Sequence, residues 1–195
     1  RALLEFVASE ARPATALDRK DAAALWHEVV VEARKEGKGD DLYAAYARFA
    51  RRVGEQAEFD SIVFPTLVTQ SARINGRMAS WDGVRRHVEI PGQFNESIDT
   101  YREGKIWLSR YGATGELAAA SLHIAAMSPK GELLYEGRGG LVLLQELVAP
   151  SKKKKDDVEL TAVLRKDPFA APDQLQEGIA AAFRDWPSAS ASIAN

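Results

Sequence analysis

The chain has 195 residues, no cysteine, a formal net charge of −2 and a calculated pI near 6.0. A domain of that length can bury roughly two-thirds of its unfolded surface, and the lack of cysteine excludes disulfides, thiolate metal sites and thiol nucleophiles. The near-neutral balance provides no global field toward nucleic acid or an anionic membrane, and no apolar run is long enough to read as a transmembrane helix.

Asp18 and Asp21 precede Ala22, Leu25, Trp26, Val29, Val30 and Ala33. These recur at the three-and-four spacing of one helical face and stop at Gly37-Lys38-Gly39, which predicts an amphipathic helix. Asp40-Asp41 opens a second helix with Leu42, Tyr46, Phe49 and Val53 on one stripe. Arg48, Arg51 and Arg52 fall toward its end, where positive charge suits the helix dipole. Ser61 to Phe64, with Leu67 and Val68, has the pattern of a strand covered on both faces. Pro65 has no N–H for a ladder and predicts a break, at an edge or a bulge.

From Gln70 to Arg86, Arg73, Arg77, Arg85 and Arg86 alternate with Ile74, Met78 and Val84, as in a strand pair with one wet face, Trp81-Asp82-Gly83 turning or bulging between. Gly92 to Gly104 reads as a long polar loop before a short strand at Ile106 to Arg110. Leu117 to Met127 and Glu132 to Gly137 read as two strands joined at Ser128-Pro129-Lys130-Gly131, where proline presets φ and glycine tolerates a positive one. The glycines at Gly137 to Gly140 read as a bulge that ends the second strand. Lys152 to Lys155, followed by Asp156 and Asp157, make a solvated linker. Pro172-Asp173 starts a last helix with Leu175, Ile179, Ala182, Phe183 and Trp186 on one face, Pro187 stops it, and residues 188–195 read as a disordered tail. The expectation is a single α+β domain over 1–187: a mixed, largely antiparallel sheet of about five strands with amphipathic helices packed against it.

No metal or cofactor site is legible. His27, His87 and His123 are too scattered for a zinc pair on one helix face, and no Gly-x-Ser-x-Gly elbow occurs. Gly137-Arg138-Gly139-Gly140 lacks the lysine and hydroxyl of a phosphate loop. Two alternatives stay open. One is a small hydrolase or transferase, if His87 and His123 meet across adjacent strands near Asp82 and Glu136. The other is an anionic ligand at Gly137 to Gly140. The best candidate surface is Arg73, Arg77, Arg85, Arg86 and Arg110, interleaved with Trp81, Tyr101, Trp107 and Tyr111. Arginine and aromatic side chains dominate protein interfaces, while Glu89, Glu96, Asp99 and Glu103 argue against nucleic acid there.

Met127-Ser128-Pro129-Lys130-Gly131-Glu132-Leu133-Leu134-Tyr135-Glu136-Gly137 resembles the strand, turn and Leu-x-x-Glu-Gly phrase of bacterial envelope lipoprotein domains of the curli-secretion-lipoprotein and TolB amino-terminal type. Phe59-Asp60-Ser61-Ile62-Val63 is similar to their Ala-Asp-x-Val-Val strand, with Pro65 where a glycine is common. A lipidated cysteine and a clear opening strand are missing, Leu3 to Val7 reading as that strand's remnant, and the start at Arg1 reads as a processed or trimmed product. The resemblance implies a periplasmic domain, tethered to the outer membrane through a lipid anchor absent from this chain. Such a domain assembles with a protein partner or with itself, without cofactor or catalysis.

Overall fold

The computed structural model describes residues 2–9, 14–90, 107–109, 112–148 and 160–186. Among them are helices α1 (Ala2–Ser9), α2 (Arg19–Lys35), α3 (Leu42–Gly54) and α4 (Pro172–Ala182). The strands are β1 (Ile62–Gly76), β2 (Met78–Trp81), β3 (Val84–His87), β4 (Trp107–Ser109), β5 (Gly112–Met127), β6 (Leu133–Leu143), β7 (Gln145–Val148) and β8 (Thr161–Leu164). The main sheet runs β3-β2-β1-β5-β4 with β6 also paired to β5, and β7 and β8 form a second, antiparallel sheet. The class is therefore α+β with a largely antiparallel sheet. The described residues group into two compact units: Arg1–Thr66, His123–Gly137 and Phe183–Asn195 in the first, Leu67–Leu122 and Arg138–Ala182 in the second.

In the first unit, the Asp18 carboxylate accepts hydrogen bonds from the Lys20 and Asp21 amides and caps α2. The helix ends in a Schellman arrangement: Gly37, at φ 73°, donates to Arg34 O, and Lys38 donates to Ala33 O. Asp41 caps α3 through the Ala44 amide at 2.9 Å. Val29 of α2 packs with Ala45, Phe49 and Val53 of α3, joined by Leu25, Trp26, Ile62 and Phe64. Tyr46 and Ala50 meet Ala125 and Met127 of β5, and Tyr46 stacks on Phe64 at 4.2 Å while bonding Thr66 Oγ1. Leu42, expected on this stripe, is 41% exposed because it is the first residue of α3, ahead of the buried turns.

The β5–β6 turn lies where Ser128 to Gly131 predicted it. Ser128 Oγ accepts from the Lys130 and Glu132 amides, Gly131 adopts φ 78°, and a Cβ there would stand 2.6 Å from Ala47 O, so glycine also lets the turn close on α3. Leu3 to Val7 belong to α1 rather than a strand, and Phe6 reaches the Phe183 ring at 5.6 Å. The last helix stops at Ala182. Phe183 and Trp186 lie beyond it and pack on Tyr135 instead of extending its stripe.

The second unit is built on two tight hairpins. Gly76, at φ 68°, takes the first of two central positions between β1 and β2, the place a type II′ turn gives to glycine. Asp82 and Gly83, at φ 36° and 78°, both left-handed, make the type I′ turn that closes β2 on β3. β1 continues through Pro65, which is exposed; β2 pairs with β1 at Arg73, Ile74 and Asn75, well beyond the proline. The core joins Ala72, Ile74, Ala79, Trp81, Val84, Val88, Leu117 and Leu143. β6 does not end at its glycines but runs on to Leu143. Gly139, Gly140 and Gly178 are where strand and α4 touch: a Cβ at Gly139 would lie 1.9 Å from Gly178 O, and one at Gly178 would lie 2.4 Å from Gly140 O. The expected loop at Gly92 to Gly104, the lysine linker, Pro187 and the tail fall outside the described residues.

Candidate functional site

Strand alternation divides the arginine-rich stretch into two faces. The register places Arg73 of β1 opposite Ser80 of β2, and Ser80 opposite Arg85 of β3, so the three residues form one rung across three strands. All three are exposed. Asn75, Met78 and His87 form the next rung on the same face, and Arg77 lies exposed in the intervening turn. Ser71, two residues before Arg73, donates to Glu116 Oε2 at 2.6 Å. Among the described residues, Arg73, Arg77 and Arg85 have no ion-pair partner, whereas Arg48, Arg52 and Arg86 each hold a carboxylate.

Trp81 and Arg86 point to the opposite face and do not belong to that surface. Trp81 is 7% exposed, and its Nε1–H donates to Ala120 O at 3.2 Å. Arg86, 9% exposed, lies opposite Ala79, whose small side chain leaves room for the arginine stem. Its guanidinium binds Glu177 Oε2 at 2.5 Å, Gln174 O at 3.3 Å and Arg85 O at 3.2 Å, clamping α4 against β3. A buried guanidinium needs such partners to offset its lost hydration. Trp107 is placed on β4 opposite Thr114, while Tyr101, Arg110 and Tyr111 lie outside the described residues.

The residues of the enzyme alternative are only partly brought together. His87 is exposed on β3, and β2 and β1 intervene before β5, which carries His123. Asp82 is a turn residue whose carbonyl accepts from the Gly140 amide at 3.0 Å. His123 and Glu136 do meet: Nε2 lies 3.0 Å from Glu136 Oε1 and 3.3 Å from the Tyr43 hydroxyl. Nε2 is shared between the two, donating or accepting according to the tautomer. The trio ties α3 to β5 and β6 by hydrogen bonds. Tyr43 was not singled out in the sequence because 80 residues separate it from His123.

Gly137 to Gly140 form no open cradle. They lie within β6, the Gly140 amide is spent on Asp82 O, and the space over Gly139 and Gly140 is taken by Gly178, Val84 and Trp81. Among the described residues no group of three or more His, Cys, Asp or Glu side chains gathers to hold a metal ion. None of the described helices is long and apolar enough to cross a membrane. Comparison with protein-family models, with curated proteins and with solved structures returns no match.

Proposed function

We propose that this chain is a non-catalytic interaction domain of the bacterial cell envelope, working in the periplasm or at the outer membrane and capturing a protein partner or another copy of itself. The observation that carries the reading is the exposed rung Arg73, Ser80, Arg85, with Arg77 beside it, standing on strands whose opposite face is a closed core. The planar guanidinium fork is pre-organised and loses less freedom per hydrogen bond formed than a flexible ammonium, which suits arginine to binding. The two stretches that resemble envelope lipoprotein domains, Met127 to Gly137 and Phe59 to Val63, support the compartment. The enzyme alternative is the weaker reading because β2 and β1 lie between β3, which carries His87, and β5, which carries His123.

The test is photo-cross-linking in cells that express the native gene product with a photo-reactive residue replacing Ser80. An adduct in the envelope fraction, lost on Arg73→Glu/Arg85→Glu with an unchanged melting temperature, is expected. An adduct that survives the charge reversal overturns the surface, and one confined to the cytosolic fraction overturns the compartment.

A further inference from the structure

On the exposed face, Ser80 and Met78, alternate residues of β2, form a floor flanked by Arg73 and Asn75 on β1 and by Arg85 and His87 on β3. Neighbouring strands lie about 4.8 Å apart, so the backbones carrying Arg73 and Arg85 are separated by roughly 10 Å. Two guanidinium groups therefore stand on either side of a hydroxyl and a thioether, with ample reach to close over whatever lies along β2. Glu116 receives Ser71, and Glu89 is exposed two residues beyond His87, but among the described residues no carboxylate pairs with Arg73, Arg77 or Arg85.

We infer that the occupant of this face is an acidic segment of a second protein, with carboxylates placed to meet Arg73 and Arg85 and an apolar side chain resting on Met78. The inference rests on the interaction-domain reading and adds the partner's chemistry. Charge complementarity selects carboxylates, because planar guanidinium forks bind them bidentately. Met78 selects for an apolar contact between them, since a thioether is soft and adaptable and takes no strong hydrogen bond. A partner held this way associates quickly at low ionic strength and is weakened by salt.

The experiment uses a fluorescein-labelled peptide of repeated Glu-Glu-Leu triplets, with a Lys-Lys-Leu peptide as its counterpart, and reads anisotropy against the full chain. The acidic peptide should bind, and Arg73→Ala/Arg85→Ala should weaken it by about tenfold or more, the scale of an interface hot spot. Arg138→Ala, an exposed arginine on β6, should leave binding unchanged, and the lysine peptide should not bind. Equal binding by the Arg73→Ala/Arg85→Ala chain overturns the inference. So does arginine-dependent capture by phosphatidylglycerol vesicles without capture of the peptide, which assigns the face to a lipid surface. Arginine-dependent self-association without peptide binding likewise overturns it, assigning the face to a second copy. If the peptide fails while cross-links at Ser80 still depend on Arg73 and Arg85, the acidic chemistry is wrong and the interaction surface stands. If both fail, the surface itself falls.

Discussion

Gly139→Ala tests the contact on which the second unit depends. The added methyl would sit 1.9 Å from Gly178 O and 2.6 Å from the Ala182 amide nitrogen, and both obstacles are backbone, so no rotamer change relieves them. Ordinary contact begins near 3.4 Å, so α4 must retreat by 3.4 minus 1.9, about 1.5 Å, more than enough to forfeit half the dispersion contact beneath it. Ile179 and Ala182, 6% and 0% exposed, lose their seat, and the Arg86 clamp on Gln174 and Glu177 is pulled apart. Overpacking of this kind costs about 1–3 kcal/mol, and the loss of a charged hydrogen-bond set adds about 1–3 kcal/mol. Urea denaturation followed by circular dichroism should therefore show a loss of roughly 2–6 kcal/mol. Gly37→Ala provides the contrast. It has a left-handed φ of 73° and nothing within 4 Å, so it should cost only about 1 kcal/mol of backbone strain. If Gly139→Ala costs no more than Gly37→Ala, α4 does not sit on β6 as described.

Two further outcomes follow from neighbouring residues and from burial. Arg86→Ala should destabilise the fold by about 1–3 kcal/mol in the same denaturation assay, and Arg85→Ala should stay within about 0.5 kcal/mol; equal effects at the two positions would contradict the register of β3. Burial raises the Tyr135 phenol above its ordinary value of 10.0, the Asp185 amide opposing and the Asp185 charge adding to that shift. Because the folded state holds this proton longer, the associated stability is complete below the unfolded value and is lost as pH rises through the folded one. A spectrophotometric titration should show one late-ionising tyrosine that Tyr135→Phe removes. If the Tyr135→Phe difference curve follows the bulk tyrosines, the cluster with Phe183 and Trp186 does not shelter the ring.

Where local chemistry decides a structure, the amino acids declare it. Asp18, Gly37 and Asp41 bound the helices because capping acids and a left-handed glycine act within a few residues. Pro129 and Gly131 mark the β5–β6 turn for the same reason. The glycines of β6 read as a bulge that ends the strand, but the strand runs through them, and a strand glycine also marks a close backbone approach. What resolves them is Gly178, some forty residues away and visible only once α4 has docked. α1 was misread as a strand because five apolar-rich residues are too short to show a period.

The arginine surface was half legible, and the missing half was a question of parity. Arg85 and Arg86 are the same residue type at adjacent positions, yet one faces solvent and the other holds α4 through two hydrogen bonds. The signal that separates them lies in Asp82-Gly83. A two-residue type I′ turn makes Trp81 and Val84 the closing pair, which sends Ala79, Trp81, Val84 and Arg86 to one side and Ser80 and Arg85 to the other. The apolar pair then identifies the inner side. An arginine aligned with Trp81 and Val84 must find buried partners, while one aligned with Ser80 remains free to bind. Composition alone shows a basic stretch; turn geometry divides it into a structural clamp and a docking rung.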